Sequence, residues 1–148
     1  MNEVVEALKQ RRSCRKFSDK PVEDEKVEQI VEAGLFAESG MGRQATHLVI
    51  VRNAEDVAQL SRMNAQIMGT SSDPFYGAKT VVVVLTDPSV PTCVEDGALV
   101  MGNLMNAAHA LGVGSCWIHR AREEFDSPEG KELLRTLGIK GDYEGIGN

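Results

Sequence analysis

Arg11-Arg12-Ser13-Cys14-Arg15-Lys16-Phe17 sets four cations and a hydroxyl within seven residues of a chain whose formal net charge is −6. Arginine presents a planar fork of N–H donors that matches phosphate oxygens in pairs, and a serine hydroxyl between such forks fills a remaining lone pair. The heptapeptide is a candidate phosphate grip. A second explanation stands level with it on these residues alone. Residues 3 to 10 read as a helix with Val4, Val5 and Leu8 on one face, and cations are favoured at a helix C-terminus by its dipole.

Outward from this stretch, helices and strands follow one another. Pro21 opens a second helix in which Val27, Ile30, Val31 and Leu35 recur at helical spacing, ending near Gly34. His47 to Val51 is a short apolar run predicting a buried strand, and Asn53 reads as the N-cap of a third helix reaching about Met63. Thr80 to Leu85 is β-branched and apolar on both faces, which predicts a central strand, stopped by Asp87-Pro88. Val94 to Leu111 is apolar around most of a helical circumference, with Gly112 at the cap position, and predicts a long buried central helix. Val113 to Ile118 predicts a further strand, and Ser127-Pro128 caps a last helix closing at Gly138. Stretches 38–46 and 64–78 lack a period and read as loops; Asp73-Pro74-Phe75-Tyr76-Gly77 in the second is a candidate pocket wall or simple packing. The class is α+β.

Composition narrows the function. A chain of 148 residues predicts one domain able to bury its own core. Its acidic balance argues against general nucleic-acid binding, which depends on neutralising many phosphates. Cys14, Cys93 and Cys116 are odd in number and scattered, so they suggest neither a disulfide framework nor a zinc site and fit a reducing cytoplasm. Glu3 and Glu6 stand where a signal peptide needs apolar residues, and no apolar run approaches membrane-spanning length. A soluble, cytoplasmic protein is the expectation. His47, His109 and His119 fall in different elements with no carboxylate or thiol at ligand spacing, so no metal site is assigned. No nucleophile elbow, Walker loop or dinucleotide fingerprint is present.

Three stretches in the same order resemble the FMN-dependent nitroreductase family, nearly end to end. The first is Arg11 to Phe17, similar to the family's R-R-S-x-R-x-F pattern after an opening helix. The second, Ala37-Glu38-Ser39-Gly40-Met41-Gly42-Arg43-Gln44-Ala45, resembles the loop A-P-S-x-x-N-x-Q-P before a strand; Glu38, Gly42 and Ala45 depart from it, while Ser39, Arg43 and Gln44 are retained. The third is the long helix with Gly112-Val113-Gly114-Ser115-Cys116-Trp117-Ile118-His119-Arg120 after it. Many relatives carry an acidic residue followed by glycine where His119 and Arg120 stand.

The resemblance implies an α/β/α sandwich whose central, mostly antiparallel sheet is flanked by helices, with residues 1–148 as a single FMN-binding domain. It implies that Arg11, Arg12, Ser13 and Arg15 hold the flavin phosphate and that Ser39, Gly40, Gly42, Arg43 and Gln44 form a second contact loop. Ile118, His119 and Arg120 would lie against the ring near N5, with Arg120 available to offset negative charge on the reduced ring. No catalytic side chain is required, because the flavin carries the chemistry. NADH or NADPH would donate hydride, and nitroaromatics, quinones or similar acceptors would follow in a ping-pong cycle. The family forms homodimers with FMN at the subunit interface. In the family a further strand and tail follow the position of Asn148, so their absence from this sequence is part of the expectation. The alternatives are a flavin carrier with little turnover and a cofactor-free dimeric scaffold whose arginines only cap a helix.

Overall fold

The computed structural model describes residues 1–148. Its elements are α1 (Glu3–Gln10), α2 (Asp24–Leu35), a single 3-10 turn (Gly40–Gly42), β1 (Thr46–Val51), α3 (Ala54–Met68), β2 (Val81–Thr86), α4 (Cys93–Ala110), α5 (Ala121–Asp126), α6 (Pro128–Thr136) and β3 (Glu144–Gly147). The sheet is antiparallel throughout, in the order β1-β2-β3, with Thr46 opposite Thr86 and Leu85 opposite Gly145. No helix is long and apolar enough to cross a membrane.

Alternation along β2 explains the layering. Val81, Val83 and Leu85 enter a core with Leu60 of α3, Phe125 of α5 and Leu133 and Leu134 of α6, whereas Val84 faces Ile30 of α2 and Val100, Met101 and Leu104 of α4. A strand with helices on both faces must be apolar on both sides, and the expected α/β/α sandwich is the result. Gly34 lets α2 approach α4 closely: a Cβ there would sit 2.6 Å from Leu104 Cδ2.

Caps set several boundaries. Asn53 Oδ1 accepts from the amides of Glu55 and Asp56, and Ser127 Oγ accepts from Gly130, satisfying first-turn donors as N-caps do. Helix α3 runs on to Met68, beyond the expected Met63, and closes on Gly69 at φ 79°, the left-handed cap that glycine adopts without penalty. Residues 64–68 are therefore helical, not loop. Of the expected pocket wall, Phe75 is core while Tyr76 is exposed.

One expectation about the sheet is corrected. Val113–Ile118 is not a laddered strand, because β3 occupies the edge of β2 that this segment would need. Its Ile118 alone exchanges reciprocal backbone hydrogen bonds with Asn148, at 3.0 and 3.1 Å, and the Ser115 carbonyl accepts from the Cys14 amide at 2.9 Å. A third strand, to which the sequence reading gave no element, lies at Glu144–Gly147. Its glycines disguise it, yet they are what the packing demands: a Cβ at Gly145 would collide with the Ala121 carbonyl and one at Gly147 with the Trp117 indole.

Helix α4 buries Cys93, Asp96, Gly97, Val100, Met101, Leu104 and Ala108 but leaves Val94 and Leu99 exposed. Helix α1 buries nothing, and Val4, Val5 and Leu8 face outward together with Phe36, which is 80% exposed. Exposed apolar side chains clustered on a helix face, as on α1, are a feature of interaction surfaces.

Candidate functional site

Segment 11–15 leaves α1 in extended conformation and is tied to the chain after α4 by the Cys14–Ser115 backbone bond. Gly114 permits that approach, since a Cβ there would press on Cys14 at 3.0 Å. The four candidate phosphate ligands differ in availability. Arg12 Nη1 donates to the carbonyls of Lys9 and Arg11, both at 2.8 Å, so this guanidinium closes α1 as a C-terminal cation would. Arg11 Nη1 is instead buried with no hydrogen-bond partner. Ser13 and Arg15 are exposed. A buried guanidinium N–H without an acceptor carries a large desolvation cost unless an anion meets it.

Loop 39–44 is a compact backbone knot. Gly42 donates to the Ser39 carbonyl, Arg43 to the Gly40 carbonyl, and the Gln44 amide to Ser39 Oγ at 3.1 Å. Met41, Gly42 and Gln44 have φ of 56°, 64° and 51°, the left-handed region that only glycine enters freely. The knot is pinned to α4 by Asp96, whose Oδ1 accepts from the Gly40 amide at 2.9 Å while Oδ2 accepts from Thr92 Oγ at 3.0 Å. Asp96 is nearly fully buried in the first turn of α4, where the helix dipole favours a carboxylate. Sequence reasoning gave it no role; its signal is one of two acids, with Glu95, in the first turn of a largely apolar helix, four residues after a threonine.

The third group, Ile118 to Arg120, turns sharply before α5. Arg120 sits at φ 79° and its Nε donates to Asn64 Oδ1 at 2.8 Å, while Asn64 Nδ2 donates to the His119 carbonyl at 2.8 Å. Asn64 is wholly buried, and nothing in the periodicity of α3 distinguishes it. The Ile118 amide is spent on Asn148, whereas the amides of His119 and Arg120 have no partner within the chain. Arg120 therefore turns part of its guanidinium inward instead of offering all of it outward.

No hydrogen bond or ion pair joins segment 11–15 to loop 39–44. A cavity of about 410 Å³ lies behind the arginine segment among Phe17, Met105, Val113 and Ile118, and none of Arg11, Ser13 and Arg15 lines it. The candidate ligands thus form an open surface, not an enclosed pocket.

The sequence profile of the nitroreductase family matches residues 8–146. The chain belongs to this family. Among solved structures it is similar to a nitroreductase with bound FMN from Bacteroides fragilis, at 29% identity and a TM-score of 0.91, covering 99% of this chain and 86% of that one. A second FMN-bound nitroreductase, from Desulfitobacterium hafniense, is 27% identical with a TM-score of 0.88, at 99% and 86% coverage. Among curated proteins, one from Archaeoglobus fulgidus, provisionally named an NADH dehydrogenase/NAD(P)H nitroreductase, is 31% identical over 94% of this chain and 78% of its own length. The FMN reductase [NAD(P)H] of Bacillus subtilis is 28% identical over 94% of this chain, which spans 61% of it. Family membership of this kind makes the nitroreductase-like chain an oxidoreductase by descent.

Proposed function

We propose that this nitroreductase-like chain is a single FMN-binding domain that works as a homodimer, oxidising NADH or NADPH and reducing nitroaromatics, quinones or similar acceptors in a ping-pong cycle. The observation that carries the proposal is the buried, partnerless Nη1 of Arg11 on a segment whose exposed Ser13 and Arg15 add a hydroxyl and a second fork. Together they suit a dianionic phosphate. Arg12, committed to backbone carbonyls, contributes charge at most.

When bound, FMN supplies the hydride-accepting ring and needs no protein nucleophile. The chain holds and orients it. The unpartnered amides of His119 and Arg120 are fixed donors for the ring edge, preorganised as electrostatic catalysis requires. Because the amides of Gly40, Gly42, Arg43 and Gln44 are consumed inside the knot, loop 39–44 has the side chains of Arg43 and Gln44 and the Ser39 hydroxyl to offer. The exposed apolar face of Val4, Val5, Leu8 and Phe36 supports the homodimer, and the lack of any bond between segment 11–15 and loop 39–44 suits a site completed by two chains.

The test is a visible spectrum of protein reconstituted with FMN and freed of excess flavin, then mixed anaerobically with NADH or NADPH. Flavin absorbance that stays with the protein, bleaches with a pyridine nucleotide and returns with a nitroaromatic or quinone is expected. A colourless protein overturns the proposal.

A further inference from the structure

Glu124 is wholly buried in α5, one helical turn beyond the Ile118–Arg120 turn. Its Oε2 accepts from Asn148 Nδ2 at 2.6 Å, and Asn148 is the residue whose backbone clamps Ile118 from both sides. Its backbone amide donates to the Arg120 carbonyl at 3.0 Å. Above it, Asn64 grips both the His119 carbonyl and Arg120 Nε. Every tie on the turn therefore leads to Glu124 or to a group beside it. We propose that Glu124 is a positioning residue that fixes the Ile118–Arg120 turn through Asn148, Asn64 and Arg120. The purpose of that fixing, alignment of the His119 and Arg120 amides on a flavin ring, rests on the function proposed above.

The chemistry of the network calls for a proton. Glu124 Oε1 and Asn148 Oδ1 are both buried acceptors without a donor, an arrangement that costs free energy while the carboxylate is ionised. A protonated Glu124 supplies the missing donor. Burial is the main influence and pushes its pKa up to about 7, opposed by the Asn148 and Asn64 amides and the charge of Arg120, with Glu123 adding to the rise. The ionisable groups facing it are thus Arg120 at the end of the turn and Glu123 of its own helix; α3 presents the amide of Asn64 and the residue after β3 the amide of Asn148, while the His119 side chain is exposed in the turn itself. Near neutrality the turn has two settings, one braced by a neutral acid and one with a buried negative charge beneath it.

Two variants test this. Glu124→Gln keeps the shape and a donor but does not titrate, and Glu124→Leu removes the polar group. In the apoprotein, the Arg120 Nε–H and Asn148 side-chain amide resonances are expected to titrate between pH 5 and 8 in wild type and to stay still in Glu124→Gln. With FMN, Glu124→Leu is expected to raise the Kd about tenfold, the scale at which outer partners of a bound group act, and Glu124→Gln to change it less than about twofold. A dependence of the midpoint potential on pH beyond that of the flavin itself is expected in wild type between pH 5 and 8 and should be absent in Glu124→Gln, a difference that a merely structural role would not produce. Resonances that titrate alike in both proteins overturn the inference. Resonances that behave as expected in a wild type that binds no FMN support the link and overturn the flavin assignment instead.

Discussion

Gly147 lies directly against the indole of Trp117, with no room between them for a β-carbon. The same is true of Gly145 and the Ala121 carbonyl, and the two contacts differ in what can yield. Trp117 can rotate, whereas the backbone of the turn cannot. Gly147→Ala is expected to cost about 1–3 kcal/mol, the usual range for overpacking, and to shift the emission of the single tryptophan. Gly145→Ala is expected to cost more and to broaden the amide resonances of residues 118–122. Urea unfolding of both variants checks the order.

Arg11 and Arg12 are neighbours with opposite commitments. Arg11→Ala removes the buried, partnerless Nη1, and a lost charge-assisted contact of about 1.5–3 kcal/mol corresponds to roughly a ten- to hundredfold weaker FMN Kd. Arg12→Ala should alter the Kd less than about threefold and should instead loosen the end of α1. Fluorescence titration of FMN against both variants decides, and equal losses would mean that charge alone, not the geometry of Arg11, holds the phosphate.

The pH dependence of stability has a sign set by Glu124. Its folded pKa, about 7, lies above its ordinary 4.5, so the folded chain retains a proton that the unfolded chain has released. The contribution is complete below about pH 4.5 and is lost as the pH rises through about 7, a total of about 3 kcal/mol. Denaturation of wild type at pH 5 and pH 8 should show that fall; Glu124→Gln should show little of it.

Asp73 carries the opposite sign. Burial works to raise its pKa, but the Ser61 hydroxyl and the amides of Phe75 and Gly77 together lower it. Its stabilisation is present at neutral pH and lost as the medium becomes acidic enough to protonate it in the folded state. Asp73→Asn should therefore be less stable than wild type at pH 7, with the gap closing toward pH 3. A gap independent of pH would assign the effect to the turn's shape and not to its charge.

The exposed face of α1 makes a prediction about assembly. Leu8→Glu combined with Phe36→Glu should convert a dimer to a monomer in sedimentation velocity while leaving the helical circular dichroism intact. A wild type that is monomeric at micromolar concentration would place that face against some other partner.

Five of the six helices and the two long strands were legible in the sequence because each carries its own period, Val27 and Ile30 at helical spacing and β2 as an unbroken β-branched run, whereas the six-residue α5 is too short to show one. The arginine segment was legible because donors and charge are concentrated in seven residues. The strand β3 was not, since the glycines that let it press on Trp117 and Ala121 are poor strand formers viewed singly. Val113–Ile118 misled for the converse reason, being locally strand-like while its edge of the sheet belongs to β3. Asn64, Asp96 and Glu124 escaped notice because a buried polar residue acquires meaning only from its partners, which lie 55, 56 and 24 positions away in sequence.

The left-handed backbone at Arg120 has a consequence for how this chain tolerates change. An L-residue there costs about 1–2 kcal/mol relative to glycine, and the hydrogen bond to Asn64 offsets it. Glycine at 120 abolishes that cost but leaves Asn64 Oδ1 buried without its donor, while Asn64 Nδ2 still serves the His119 carbonyl. The two sites are therefore epistatic: what a substitution at 64 costs depends on whether residue 120 still carries a donor, and what a substitution at 120 costs depends on whether residue 64 still presents an acceptor.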